Sequence, residues 1–344
     1  MIEVSPNIYL IREKGFFGAL RPPENVYIIG GSDGLIYDAG YGDLKTISHV
    51  LREIAKIKRN YKKNNQEFNL NRIIPSHGHP DHFSGLKLLR KYLDVEVILP
   101  RNTFHMINSE ESYMKYFRPD PYEDLLCLPS VSQNIKNFIN SRFEYVLYKR
   151  LYGLTFINHP DEIININSNA YITINDEKWK ILHSPGHSSD HISLYNENKG
   201  ILFSGDNVLR SITTWLGPPD SDLEDYINSI EQYKELPNLK LILSAHGSPI
   251  ERPADRLNEI LAHRKARAQQ VLNLIRKNSQ SGITPKGIIR SLYPNKLKMM
   301  GNIARGWICL TLKMLERKQK IQRKERSKKI LFFPLNDSIK GSFK

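Results

Sequence analysis

Apolar residues open the chain in short runs separated by turn formers: NIYLIRE, then NVYIIG and LIYDAG on either side of Gly-Ser-Asp-Gly, which reads as a hairpin between two strands. A helical stretch follows from Leu44 to about Lys63. Next come a short strand at 72–75, a loop at 76–82, a helix at 85–92 and a strand at 95–100. Residues 101–165 break this rhythm with Tyr/Phe-rich, proline-punctuated stretches such as SYMKYFRPDPYEDLLCLP, and they predict an inserted lid or cap whose aromatics line a cleft. Strand patterns resume at 170–174 and 178–183, return at 200–204 and, after a helix near 223–233, end at 239–243. Two β-rich halves, each with helices, predict an α/β body layered αββα.

From Pro253 the period is helical to about Lys277. Thr284 can cap a second helix with Pro285 at its first position. A third, at 302–319, carries Ile303, Trp307, Leu310 and Met314 on one stripe. KIQRKERSKKILFF then reads as two short strands around a basic turn. Three helices and a hairpin follow the order of a winged helix. The 344 residues therefore divide into a body, 1–250, and a C-terminal winged-helix-like domain, 251–344.

Charge changes the picture only when it is divided along the chain. The net value is +14, yet residues 1–250 hold 27 Lys and Arg against 30 Asp and Glu, whereas residues 251–344 hold 23 against 6. A basic block of this kind is a footprint for a phosphate polymer; its competing uses are a homodimer interface or a plain solvated face. With 40% hydrophobic and 25% charged residues, disordered and collagen-like classes are excluded. No apolar run approaches the ~20 residues of a membrane span, and the N-terminus lacks the basic and apolar regions of a signal peptide. No membrane partner and a cytoplasmic location are expected. Cys127 and Cys309 form no CxxC pair and read as small hydrophobes, so any metal must be held by His and carboxylates.

The candidate chemistry lies in SHGHPDHFSG, residues 76–85, where His77, His79, Asp81 and His82 fall within six positions directly after a predicted strand. Imidazoles and a carboxylate suit Zn²⁺ or a similar first-row ion, and a loop lets close side chains diverge toward two ions. Three later residues again follow predicted strands: His187 in HSPGHSSDH, Asp206 in FSGDN and His246 in LSAHGSP. Asp38 in IYDAG reads as a residue that orients the metal loop through backbone N–H groups. His191 reads either as a proton donor or as a packed histidine, and Trp215 and Tyr195 either as stacking platforms or as core aromatics.

Across residues 25–250 the ordered pattern HxHxDH, His, Asp, His resembles the metallo-β-lactamase superfamily. The resemblance implies that fold, with His77, His79 and His187 on one zinc, Asp81, His82 and His246 on a second, and Asp206 bridging. SPGHSSDHISLY, FSGDN, SITTW, DLEDYINSI, AHGSPI and AHRKARAQQVLNLI further resemble the β-lactamase-like protein 2 family, similar to glyoxalase II-type hydrolases in its metal site and including members that cleave single-stranded RNA. The expected function is hydrolysis by a hydroxide bridging two zinc ions, with iron or manganese as alternative metals. Asp81 would orient the hydroxide, and Asp81 or His191 would pass the proton to the leaving group. No GxSxG elbow or Cys–His pair supports a covalent route. The basic C-terminus favours RNA as substrate; a small-molecule thioester or lactone is the alternative, and a nucleic-acid-binding protein with an inactive metal site fits less well because every ligand position is filled.

Overall fold

The structure is a computed structural model. It describes residues 1–13, 21–116, 145–147, 149–166, 170–217, 220–294, 297–326 and 329–335, with 297–303 as backbone only. Seven strands form one sheet in sequence order: β1 (Ile2–Ser5), β2 (Ile8–Arg12), β3 (Asn25–Ile29), β4 (Gly34–Tyr37), β5 (Leu70–Ile74), β6 (Glu96–Pro100) and β7 (Glu162–Ile164). The second sheet is ordered β12-β11-β10-β9-β8, from β8 (Tyr171–Ile174), β9 (Glu177–His183), β10 (Ile192–Asn196), β11 (Ile201–Gly205) and β12 (Leu241–Ser244). The two sheets face each other across one apolar cluster that includes Leu10, Tyr27, Tyr37, Trp179, Leu194 and Phe203. Such strands are buried on both faces, so they read as continuous apolar runs.

Helices cover the outer faces. α1 (Leu44–Lys63) is capped by Asp43, whose side chain accepts the Lys45 and Thr46 N–H groups, and it buries Ile47, Val50, Ile54, Ile57 and Tyr61 along one stripe against the first sheet. α2 (Pro80–Phe83) makes a single turn of the predicted loop at 76–82, with Pro80 where its missing N–H is not needed. α3 (Leu86–Leu93) follows. α4 (Arg101–Ile107) and α5 (Glu110–Tyr116) start the predicted lid, but Met106, Ile107 and Tyr113 are core residues of the first sheet's helical layer, and Tyr113 packs on Phe83 and Phe156. β7 likewise joins the sheet edge beside β6. Phe117 and Tyr122, two further aromatics of the insertion expected to line the cleft, and Cys127 lie outside the described residues.

On the second sheet, α6 (Leu223–Lys234) and the C-terminal elements share one apolar cluster, in which Tyr226, Ile230 and Tyr233 meet Leu257, Val271, Ile288, Ile308 and Phe332. The C-terminal elements are α7 (Pro253–Lys277), α8 (Pro285–Leu292), α9 (Leu297–Arg317) and the hairpin β13 (Ile321–Arg326) and β14 (Lys329–Pro334). Thr284 caps α8 through Gly287 N–H, and Ile283 bridges Phe332 of the hairpin. Ion pairs bind this region to α6: Arg317 with Asp222 at 2.6 Å and Lys318 with Glu224 at 3.3 Å. No helix among the described residues is long and apolar enough to cross a membrane.

Candidate metal centre

Strand direction explains why residues distant in sequence meet. β10 is antiparallel to β9 and β11, and β11 is parallel to β12, so β9, β11 and β12 point the same way. The loops that follow them carry His187, Asp206 and His246 off one edge of the second sheet. Parallel β4 and β5 deliver Asp38 and residues 76–83 to the same edge from the first sheet. Cross-links close the seam: Ile192 N–H donates to Ser76 O at 2.8 Å, and Gly78 N–H to Asp190 Oδ2 at 2.8 Å. Gly205, at φ 48°, turns the chain into Asp206; a Cβ there would lie 2.4 Å from His191 Nε2, so the turn requires glycine.

Donor atoms gather in three overlapping sets, each within 4.8 Å: His77, His79 and His187; Glu24, Asp81, His82 and His246; His77, His82 and Asp206. His187 Nε2 lies 2.9 Å from His79 Nδ1 and 3.3 Å from Asp206 Oδ2. His246 Nε2 lies 3.3 Å from Asp206 Oδ1 and 3.5 Å from Asp81 Oδ2, while His82 Nε2 is 3.7 Å from Asp81 Oδ1. The fold thus brings all seven predicted donors together, with Asp206 turning one oxygen to each side. Glu24, which the sequence does not single out, joins them. His77, His82, His187 and Asp206 are buried, whereas His79, Asp81 and His246 are half-buried and form the solvent side.

The surroundings orient the rings. His187 Nδ1 lies 2.9 Å from Trp215 O and His246 Nδ1 lies 2.8 Å from Pro23 O; a carbonyl only accepts, so each Nδ1 carries a proton and each ring turns its Nε2 toward the other donors. Ser76 Oγ is 3.0 Å from His77 Nδ1 and 3.1 Å from His82 Nδ1. Asp38 accepts Ser76 N–H at 2.6 Å and sets its other oxygen 3.1 Å from His82 Nδ1, as its reading as the orienting residue requires. His77 Nε2, His82 Nε2 and Asp206 Oδ1 are buried without a hydrogen-bond partner among the described residues. Orphaned lone pairs on N and O donors are what a first-row cation fits.

Electrostatics divides the centre in two. Burial first, and neighbouring imidazoles next, hold His77 and His191 well below the ordinary histidine range; burial and then His187 bring His79 down to about 4. On the carboxylate-rich side, burial disfavours every charge but is outweighed. Asp38 and Asp81 raise His82 to about 10, Asp206 and Asp81 raise His246 to about 9, and those imidazoles in turn lower Asp81 and Asp206. Glu24 is raised well above the usual carboxylate range by burial and then by Asp81, Asp38 and Asp206. That side therefore draws positive charge, as protons on imidazoles or as a bound cation.

His191 lies beneath the donors, fully buried, with Nε2 accepting Asp206 N–H at 3.2 Å and Nδ1 2.9 Å from Ser184 Oγ. Tyr195 is a core residue whose hydroxyl donates to Pro237 O, while Trp215 is half exposed.

The model of the metallo-beta-lactamase superfamily matches residues 20–246, a span that holds every one of these donors. The chain belongs to the metallo-beta-lactamase superfamily. This superfamily member is 23% identical over 270 residues to the beta-lactamase-like protein 2 homolog of Drosophila melanogaster, covering 78% of this chain and 74% of that protein. It is 29% identical over 122 residues to the Caenorhabditis elegans homolog of the same name, covering 36% of this chain, and 34% identical over 121 residues to the lactamase-like protein aptB of Emericella nidulans, covering 33%. The matches span 39% and 38% of those two relatives' own lengths. Among solved structures, a metallo-beta-lactamase family protein from Thermus thermophilus superposes with a TM-score of 0.69 at 19% identity over 96% of this chain and 100% of that one. A beta-lactamase domain protein from Burkholderia ambifaria gives 0.71 at 18% over 97% and 93%. The αββα metallo-beta-lactamase fold, with a helical C-terminal region, is therefore that of the chain.

Proposed function

We propose that this chain is a dinuclear zinc-dependent hydrolase that cleaves single-stranded RNA. The observation that carries the choice of substrate is a cavity of about 300 Å³ lined by Trp215, Arg264, Arg267, Tyr293 and Trp307 among others. It is tied to the centre through Trp215, whose carbonyl accepts from His187 Nδ1. Arg267 lies 4.2 Å over the Trp307 ring, and Arg264 donates to Thr214 O. Among the described residues neither guanidinium has a carboxylate partner, so the cavity keeps positive charge between aromatic faces, a combination that suits a stacked base with its phosphate. The basic C-terminal block supports the same reading.

Zinc held by His77, His79 and His187, and by Asp81, His82 and His246 with Asp206 between, would supply hydroxide near neutral pH and stabilise charge developing on phosphate oxygens. Asp81, ionised and half-buried on the solvent side, orients the attacking oxygen and carries a proton toward the leaving one. His191 holds the Asp206 turn rather than donating a proton, since both its nitrogens are engaged and burial keeps it neutral.

The test sets a labelled single-stranded RNA against a panel of thioesters and lactones, for the wild type and Trp215→Ala. RNA should be cleaved, and the substitution should raise KM for RNA roughly 5- to 150-fold, the worth of one stacked base at about 1–3 kcal/mol. Thioester turnover without RNA cleavage would instead favour the small-molecule hydrolase.

A further inference from the structure

We propose that Glu24 is a metal-binding residue of this centre, the fourth side chain of the set formed with Asp81, His82 and His246. The inference rests on the dinuclear reading above. Glu24 stands directly before β3, after two prolines, far in sequence from the histidine motif. Its side chain is fully buried, and neither carboxylate oxygen has a hydrogen-bond partner among the described residues. The polar groups facing it are Oε2 to His246 Nε2 at 3.2 Å and Oε1 to His82 Nδ1 at 3.5 Å. One Glu24 oxygen and the donor atoms of Asp81, His82 and His246 all lie within 4.8 Å of one another.

The backbone holds it there. Asn25 N–H donates to Ala245 O at 2.8 Å, and Asn25 Nδ2 donates to Ser244 O at 2.9 Å and Gly247 O at 2.8 Å. Pro23 O accepts from His246 Nδ1 at 2.8 Å, and Glu24 O accepts Glu13 N–H at 2.8 Å. Residues 23–25 are thereby stitched to the loop that carries His246, so the carboxylate and the imidazole keep a fixed relation. A buried carboxylate without a donor is costly, and no Lys or Arg among the described residues pairs with this one. A divalent cation shared with Asp81, His82 and His246 satisfies it, and its oxygens suit zinc and harder first-row ions alike.

The experiment is a metal titration of wild type and Glu24→Gln against a chromophoric chelator, repeated with Co²⁺ so that ligand-field bands report each ion's surroundings. Wild type should take two ions. Glu24→Gln should keep one at wild-type affinity, weaken the other by 10- to 100-fold or more, and alter only that ion's Co²⁺ spectrum. A folded Glu24→Gln that binds both ions with wild-type affinity and wild-type spectra overturns the assignment. Should that variant fail to fold, ¹¹³Cd resonances of wild type and Glu24→Asp decide: a shift confined to one cadmium supports ligation, and two unmoved resonances overturn it. A wild type that binds one ion only counts instead against the dinuclear reading, which separates the two failures.

Discussion

Ser76 offers a sharp test of how the donors are tuned, because one hydroxyl serves a histidine in each set. Its Oγ is 3.0 Å from His77 Nδ1 and 3.1 Å from His82 Nδ1, and the residue is fully buried. In Ser76→Ala, His82 Nδ1 keeps Asp38 Oδ2 at 3.1 Å, whereas His77 Nδ1, which carries the proton in the tautomer that offers Nε2 to a cation, loses its acceptor. A buried donor left unpaired costs about 1–3 kcal/mol. The His77 imidazole can escape much of that by moving its proton to Nε2, but the Nε2–H tautomer has no lone pair to offer a cation. The loss should therefore fall on metal affinity more than on the fold. The ion of the His77, His79 and His187 set should weaken about 10- to 100-fold, or roughly 1.4–2.8 kcal/mol, and the other ion less. A two-step chelator titration reads the asymmetry, and thermal melting of the metal-free protein reads the fold. Equal weakening of both ions, or no weakening, would refute the claim that this hydroxyl sets the His77 tautomer.

Three further outcomes follow from the geometry. Gly205→Ala places a Cβ 2.4 Å from His191 Nε2 at φ 48° and should destabilise the metal-free protein by roughly 2–4 kcal/mol in denaturant titrations; wild-type stability would contradict the required turn. Asp190, raised to about 6 by burial and then by Asp220, holds its proton more tightly folded than unfolded, so it favours folding below about pH 3.8 and that benefit is lost as pH rises through 6. The stability gap between chelator-treated wild type and Asp190→Asn should accordingly move against wild type between those pH values, by on the order of 1–3 kcal/mol, and a flat difference would refute it. Neutralising Lys324 and Arg326, which lie over Phe333 on the basic hairpin, should flatten the salt dependence of RNA binding by about 0.7 in log–log slope for each phosphate left without its cation. An unchanged slope would remove the hairpin from the RNA path.

Local signals were legible and long-range ones were not. α1 and α7 fall where the helical period puts them, with Pro253 at the start of α7, because a long amphipathic stripe is a property of neighbouring residues. The seven residues that the fold brings together stand out in the sequence because the first four share one loop and the other three each follow a strand. β10 carries no such local signal, because its five residues are buried throughout and show no alternation. Tyr113 belongs to the core rather than to a cleft, since the seven-residue α5 is too short for its stripe to register as a period. Glu24 carries no local mark: what aims it is the Asn25 bond to Ser244, 219 residues away. The basic C-terminal block is likewise less free than its 23 Lys and Arg imply, because Arg317, Lys318 and Arg323 meet Asp222, Glu224 and Glu316.

The most direct test of the proposal that the centre is dinuclear is elemental analysis of the purified chain after loading with Zn²⁺ and desalting. Donor atoms of His77, His79 and His187 form one set, those of Glu24, Asp81, His82 and His246 a second, and a third, His77, His82 and Asp206, takes one histidine from each; His77 Nε2 and His82 Nε2 are buried and unpartnered among the described residues. Two zinc ions per chain are predicted. A value that stays at one, with His77, His79, Asp81, His82, His187, Asp206 and His246 all intact, would contradict the account.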